Sequence, residues 1–255
     1  MARCECNQED CILCEGMWFD HLAPEQVCRI RGLISRKTFE PADFLFFQGD
    51  PAEWLYVLRS GYVKRATSMP DGREQSLCLA MAGQVLGFSR PTDRFYSCTA
   101  QTLTPVTVCA IRVDDMYRVL EKNPAVSVRM VEMLSQELRR SQARICDLGL
   151  KSAAERVASL IASLAEHHVA RSVPLILPLP LPLPLSRGEI AKMLGLTLST
   201  VSRCMTWLQR EGVILAPRAG VLDILDLDRL RELASDESRA SASPYSSPER
   251  AAPQP

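Results

Sequence analysis

Hydrophobic and polar positions first alternate over short distances, between about residue 36 and residue 113. Short apolar segments in this stretch are separated by glycine turn signals at Gly49, Gly61, Gly72 and Gly83, which lie 12, 11 and 11 residues apart. Short strands between turns at this spacing are typical of an antiparallel sandwich or roll. The pattern therefore predicts a β-roll.

A helical spacing of apolar residues replaces this alternation between residues 125 and 150, where proline is absent and the one glycine is Gly149. The intervals alternate between three and four residues, as they do in the seam of a coiled coil. The predicted dimerisation seam consists of Val131, Leu134, Leu138, Ser141, Ile145 and Leu148. Met130 and Met133 would widen the apolar face, so a helix lying on the surface of the roll is the alternative.

Shorter elements follow in residues 151–233. The pattern predicts a helix from Ala153 to His167, two short helices, and a strand over residues 221–225. Residues 174–185 read PLILPLPLPLPL, and proline excludes a helix there because it lacks an amide hydrogen and has a fixed φ. We expect an extended stretch, as polyproline II or an edge strand, that serves as a stiff connector; a motif for proline-binding modules is the alternative. Residues 234–255 are predicted to be a disordered tail.

The two short helices carry the start and stop signals of a helix-turn-helix. Ser186 and Glu189 form a predicted capping box, Gly195 supplies the positive φ of a helix C-cap, and Thr197 is the expected N-cap of the second helix. The inward positions of that helix are Val201, Met205 and Leu208. The residues expected to face DNA are Thr197, Ser199, Ser202, Arg203, Thr206 and Arg210, with Lys192 on the first helix. Such a helix places its N-terminal end in the major groove.

Charge supports DNA binding in this region, although 30 basic and 30 acidic residues make the whole chain formally neutral. Residues 186–218 contain five basic and two acidic side chains, and clustered cations are what a phosphate backbone requires. The basic residues are Arg187, Lys192, Arg203, Arg210 and Arg218, and the acidic ones are Glu189 and Glu211. An αα-hairpin with a solvated polar face is the alternative, but a turn at residues 218–220 and the following strand favour a winged helix-turn-helix.

Ten cysteines suggest additional chemistry, because four of them lie within the first 14 residues, at Cys4, Cys6, Cys11 and Cys14. This segment is too polar to bury them, and dense thiolates bind soft metals, either as a zinc site or as an iron–sulfur cluster; the spacing does not choose between these. For the other cysteines, core packing is the first interpretation. These are Cys28, Cys78, Cys98, Cys109, Cys146 and Cys204.

The chain lacks a secretory signal pattern and any apolar run of membrane-spanning length, so we expect a cytoplasmic protein without a membrane partner. A cysteine cluster in a reducing compartment is a metal or redox site more often than a disulfide framework. The predicted fold class is α+β, with five regions. They are a cysteine-rich arm (1–20), a β-roll sensor domain (21–120), a dimerisation helix (121–150), a winged helix-turn-helix domain (151–233) and a disordered tail (234–255). A phosphate loop, a nucleophile elbow and an H-E-x-x-H motif are all missing from the sequence, so we expect no enzyme.

Two segments of the helix-turn-helix carry a specific resemblance: LGLTLSTVSR at residues 194–203 and LQREGVI at residues 208–214. Weaker matches are LRSG at 58–61, GQVLGF at 83–88 and AAERVA at 153–158. Together with the architecture, they resemble the FNR-type branch of the CRP/FNR family of bacterial transcription regulators. The resemblance implies a homodimer with a cyclic-nucleotide-binding-like roll. It also implies binding to a palindromic site in double-stranded DNA, with RNA polymerase as a protein partner.

In regulators of this branch, three arm cysteines and one roll cysteine hold an oxygen-labile [4Fe-4S] cluster. The roll cysteine falls in the stretch that here reads TVCAI at residues 107–111, so the resemblance singles out Cys109. The arm departs from the usual spacing, because its C-x2-C pair comes last. The ligands expected from the resemblance are Cys6, Cys11, Cys14 and Cys109, with Cys4 as a possible substitute.

Two further departures bear on specificity. Ser199 stands where these regulators usually have a glutamate, and a serine accepts from a cytosine amino group more weakly and less selectively. Phe88 stands where cyclic-nucleotide binders have a ribose-binding glutamate, although Arg94 lies near the phosphate position, so a cyclic nucleotide is the less favoured signal. A regulator of the same fold could instead hold a structural zinc, or respond to nitric oxide, thiol redox or a haem-bound gas. Haem would need an axial ligand, and the histidines, His21, His167 and His168, all lie outside residues 36–113.

Overall fold

A computed structural model of the chain describes residues 24–88, 94–172, 176–215 and 220–235. The predictions for the cysteine-rich arm and for most of the C-terminal tail fall outside these residues. The chain divides into two compact units, and the boundary lies between Ser141 and Gln142, within a long helix. In the described part, no helix combines the length and the apolar character needed to cross a bilayer.

The first unit contains the predicted roll, two complete helices and the first part of a third, the long helix in which the boundary lies. Its strands are β1 (Ile34–Phe39), β2 (Phe44–Phe46), β3 (Trp54–Ser60), β4 (Val63–Ser68), β5 (Glu74–Ala80), β6 (Val85–Leu86), β7 (Thr99–Thr102) and β8 (Val106–Arg112). The helices are α1 (Pro24–Arg31), α2 (Val113–Lys122) and α3 (Pro124–Leu150). The strands form two four-stranded antiparallel sheets, in the orders β1-β8-β3-β6 and β2-β7-β4-β5. The roll predicted from the glycine spacing is thus confirmed.

Glycine turns end the strands where the sequence predicts them. Gly49, Gly61, Gly72 and Gly83 all have positive φ, between 84° and 91°. Gly61 is further constrained, because a Cβ atom there would lie 2.3 Å from the carbonyl oxygen of Pro105. The backbone itself therefore requires glycine at this turn.

Side chains of the central strands alternate between two cores, as the period of a strand requires. Tyr56 of β3 and Val108 of β8 face a core between the two sheets. Val57 of β3 and Cys109 of β8 face the opposite side, where α1, α2 and α3 pack on the sheet. The second core therefore joins the sheet to all three helices.

The long helix α3 combines the two alternatives raised by the sequence: one part packs on the roll and an apolar stripe is exposed. Val126 and Met130 are buried against the sheet, so the start of the helix lies on the roll. The apolar residues of the predicted seam, in contrast, are exposed. Their exposed fractions are 62% for Val131, 42% for Leu134, 60% for Leu138, 69% for Ile145 and 40% for Leu148. The seam is therefore solvent-accessible in a single protomer, and pairing through it stays a prediction.

The second unit contains α4 (Ala153–Ser172), β9 (Leu179–Pro182), α5 (Arg187–Leu194), α6 (Leu198–Arg210), β10 (Val221–Ile224) and α7 (Leu227–Ser235). Strands β9 and β10 form a two-stranded antiparallel sheet. Helix α4 is five residues longer than predicted, and α7 continues into the region predicted to be a disordered tail. Residues 236–255 of that tail lie outside the described part.

Within the proline-leucine stretch, Leu179–Pro182 form the extended strand β9, as predicted, whereas residues 174–175 lie outside the described part. The prediction that the stretch serves only as a connector is wrong. Leu179 and Leu181 are fully buried and the leucines at 183 and 185 nearly so, whereas the prolines between them lie nearer the surface. The amide of Leu183 donates to the carbonyl oxygen of Gly220, 2.7 Å away. Residues 179–185 thus contribute to the core, because every second side chain supplies apolar surface to the domain interior.

Candidate nucleic-acid interface and cysteine site

Side-chain caps and a left-handed glycine bound the two helices of the helix-turn-helix, as predicted. Ser186 Oγ accepts from the amide of Glu189 at 3.2 Å, and Glu189 Oε2 accepts from the amide of Ser186 at 2.8 Å. Gly195 ends α5 in the left-handed conformation, with φ at 63°. Thr197 Oγ1 then accepts from the amide of Thr200 at 3.1 Å, at the start of α6. These bonds satisfy amides at both helix starts and fix the turn between the helices.

Helix α6 separates an apolar face from a polar one. Its inward side chains are almost fully buried, and they include Cys204 in addition to the three predicted residues Val201, Met205 and Leu208. Of the predicted outward residues, Thr197, Ser199, Arg203, Thr206 and Arg210 are exposed and Ser202 is half-buried. Lys192 is exposed on α5. The residues predicted to face DNA thus share the polar surface of one short unit, while Arg218 lies outside the described residues.

The polar residues of this surface are already connected by hydrogen bonds. Thr197 Oγ1 lies 3.0 Å from Ser199 Oγ, at the N-terminal end of α6. Arg187, at the first position of α5, donates from Nη1 to Ser202 Oγ at 3.3 Å. Sequence reasoning counted Arg187 only as one of five basic residues, because nothing in the spacing shows that it reaches a side chain 15 positions away. Arg187 therefore joins the candidate interface.

Cys109 is the one candidate cluster ligand that the described residues include. Its side chain is 1% exposed, and it lies in β8 opposite Val57 of β3 and Arg36 of β1. The same core contains Ile30 of α1, the described helix that comes after the cysteine-rich arm in the chain. Within the described residues, no three metal-ligating side chains come together. The predicted arm ligands Cys6, Cys11 and Cys14, and their substitute Cys4, lie outside that part.

The surroundings of Cys109 fit a thiolate-bound cluster that the arm would complete. The thiol lies among apolar side chains, and Ile30 of α1, the described helix that comes after the arm in the chain, belongs to the same core. By contrast, Cys28 and Cys146 are exposed on helices, whereas Cys78, Cys98 and Cys204 are buried away from this core. Burial alone would also suit a cysteine that only packs in the core. What favours Cys109 as a ligand is that α1, which comes after the arm in the chain, packs in the same core.

The position expected to bind a ribose in cyclic-nucleotide binders is apolar. Phe88 packs on the core beneath the helices, and its ring centroid lies 6.0 Å from that of Tyr117. An aromatic ring offers no acceptor for a ribose hydroxyl, which would lose its hydrogen bonds to water.

An ion pair joins the roll to α3. Arg65 Nη1 of β4 lies 3.4 Å from Glu137 Oε1 of α3, and the two side chains are 25% and 34% exposed. Burial acts against the charged form, but the neighbouring Cys78 and Cys98, together with Glu137, raise the pKa of Arg65 above its ordinary value. The guanidinium therefore stays charged, and Glu137 is the carboxylate that compensates it.

Comparison with known proteins identifies two domains in the chain. Residues 36–123 match a cyclic nucleotide-binding domain, and residues 155–233 match a Crp-like helix-turn-helix domain. These are the two regions in which the structure has the roll and the capped helix pair.

Known regulators match this chain over most of its length. The transcriptional activatory protein AadR of Rhodopseudomonas palustris is 32% identical over 219 residues, which cover 84% of this chain and 87% of AadR. The anaerobic regulatory protein of Pasteurella multocida is 29% identical over 232 residues, covering 91% of this chain and 84% of the relative. Among solved structures, FixK2 of Bradyrhizobium japonicum has a TM-score of 0.70 at 24% identity, over 78% of this chain and 96% of FixK2. The similarity to FixK2 supports the fold.

Proposed function

The chain belongs to the FNR branch of the CRP/FNR family of transcription regulators, and we propose that it regulates transcription in response to oxygen through a [4Fe-4S] cluster. Oxygen is the proposed signal because the relative from Pasteurella multocida is named an anaerobic regulatory protein. The observation that carries the sensing mechanism is the place of Cys109, in a core shared by the helix that follows the arm and by the long helix.

We assign the recognition of DNA bases to the exposed residues in the N-terminal half of α6. Arg203 has the two-pronged donor that suits guanine, whereas Ser199 and Ser202 offer single hydroxyl contacts. Lys192, Arg210 and the cap residue Thr197 are assigned to the DNA surface beside them, and lysine and arginine there neutralise phosphates. A pair of such domains would read a palindromic site, because the symmetry of a dimer is mirrored in its operator. RNA polymerase is the proposed protein partner of the bound dimer.

The exposed seam of α3 is the proposed dimer interface. An apolar stripe on a soluble helix, with exposed fractions of 60% at Leu138 and 69% at Ile145, is the pattern of a surface that a partner covers. A second copy is the partner that fits, since the spacing is that of a two-stranded coiled coil. Ser141 places a small polar group in the middle of the seam, and we expect it to keep the pairing weak.

The proposed cluster ligands are Cys6, Cys11, Cys14 and Cys109. When bound, the cluster would supply a group whose oxidation changes its net charge and its thiolate bonds. Cys109 shares its core with Val126 and Met130 of α3. A shift of the Cys109 side chain would therefore change the packing of the proposed dimerisation helix directly. A weak dimer needs only a modest change in free energy to alter its population, which is what a switch requires.

Anaerobic purification of the full chain, with a visible spectrum and iron and sulfide analysis, tests this proposal. We expect a brown protein with about four iron and four sulfide atoms per protomer, since the cluster is [4Fe-4S]. Exposure to air should bleach the spectrum and weaken binding to the selected DNA site. A colourless protein that contains zinc would overturn the sensing part and favour a structural metal in the arm.

A further inference from the structure

Arg187 and Ser202 form a hydrogen-bonded pair on the surface predicted to face DNA. Arg187 begins α5, Ser202 lies in the second turn of α6, and the guanidinium donates to the serine oxygen at 3.3 Å. Helix α5 is fixed at this end by the capping box of Ser186 and Glu189. The cation therefore approaches Ser202 from an anchored helix start.

The direction of this bond determines what Ser202 can still offer to a ligand. A serine hydroxyl has one hydrogen to donate and two lone pairs to accept with, whereas a guanidinium can only donate. Once Arg187 occupies one lone pair, the hydroxyl keeps its hydrogen and one lone pair. The guanidinium charge beside the oxygen disfavours a second donor at that lone pair, so the hydrogen is the group favoured for contact with a ligand. A hydroxyl that accepts a charge-assisted bond also becomes a better donor, because linked hydrogen bonds polarise one another.

We propose that Arg187 makes Ser202 a hydrogen-bond donor toward the base it faces and thereby determines which bases are accepted there. This inference rests on the proposed DNA-binding function and deepens it. In the major groove the acceptors are N7 and O6 of guanine, N7 of adenine and O4 of thymine, whereas the cytosine edge presents an amino donor. The position facing Ser202 should therefore discriminate against cytosine on the contacted strand.

Arg187 has further donors beyond the one that Ser202 uses. A guanidinium carries five N–H groups, so a phosphate or base oxygen can be bound at the same time. Arg187 is thus a positioning residue for Ser202 and also a cation on the DNA surface. These two roles predict different losses when the residue is changed.

Binding-site selection from random duplexes, followed by affinity measurements at fixed salt, separates the two roles. Wild-type protein should select an acceptor base at one position in each half-site, and Ser202→Ala should lose the preference at that position alone. Arg187→Met should relax the preference against cytosine at the same position by roughly tenfold. It should also weaken binding to all duplexes. Lys192→Met, which removes an exposed cation from the same helix, is the matched control and should weaken all duplexes without changing the preference.

The double variant Arg187→Met/Ser202→Ala completes the test. Its preference at the Ser202 position should equal that of Ser202→Ala, because the proposed effect of Arg187 on specificity passes through the hydroxyl. An Arg187→Met protein that keeps the wild-type preference would overturn the inference while leaving DNA binding intact. A wild-type protein that selects no sequence would instead contradict the DNA-binding function. Since both side chains are at the surface, the folded state of each variant is checked by its thermal unfolding.

Discussion

Replacing Ser141 with leucine should strengthen the dimer and keep the protein on DNA in air. Ser141 interrupts an otherwise apolar seam in which Leu138 precedes it by three residues and Ile145 follows it by four. A leucine at this position would continue the apolar seam. Leucine also has a slightly better helix propensity than serine.

The size of the effect follows from the surface that pairing would bury. Complete burial of a leucine side chain contributes about 1.5 to 3 kcal/mol, and each dimer contains two copies of the substituted residue. Complete burial of both leucines would therefore stabilise the dimer by at most about 3 to 6 kcal/mol. This corresponds to a dissociation constant that is lower by roughly a hundred-fold to ten-thousand-fold. The neighbouring seam residues are 60% and 69% exposed in the single protomer, so the interface has apolar surface for the new side chain to contact.

Sedimentation equilibrium of the two proteins, before and after exposure to air, measures this difference. Ala143→Leu is the matched control, because it adds the same side chain to the same helix at an exposed position that is not part of the seam. We expect the air-exposed wild type to be largely monomeric and Ser141→Leu to remain dimeric. Equal dissociation constants for Ser141→Leu and Ala143→Leu would refute the assignment of the seam. A wild-type dimer that survives cluster loss and still binds its site would show that oxygen does not act through it.

Three other predictions concern the cluster, the DNA surface and the ion pair. Cys109→Ser should abolish cluster assembly, measured as iron and sulfide content under anaerobic conditions, whereas the exposed Cys146→Ser should retain it; full iron content in the first variant would contradict the ligand assignment. Arg203→Ala should lose about 1 to 3 kcal/mol at one base position, while Lys192→Ala should weaken all sequences alike, as binding to specific and random duplexes would show. Glu137→Gln should lower the free energy of unfolding by about 1 kcal/mol, because it leaves a partly buried arginine uncompensated; an unchanged denaturant midpoint would count against a role for the pair.

Features governed by neighbours in sequence could be predicted, and features governed by distant contacts could not. The caps at Ser186, Gly195 and Thr197 depend on residues at most four positions away, so their residue types suffice to locate them. The bond from Arg187 to Ser202 depends on how two helices cross, which no local pattern records. Cys109 shows an intermediate case, because the alternation of its strand predicts burial, while one of the helices that cover it, α1, comes from a distant part of the chain.

The proline-leucine strand β9 has a consequence for how the protein behaves at high concentration. The amide of Leu183 points toward β10, and by antiparallel alternation the leucines at 179 and 181 share that direction. The prolines at 180, 182 and 184 then occupy the positions whose nitrogens face away from β10, and proline has no hydrogen to donate. A strand from another molecule that approached this side would find carbonyl oxygens but no amide donors, so it could not complete a ladder. The strand can therefore contribute its leucines to the core without becoming a template for amyloid-like addition of further chains.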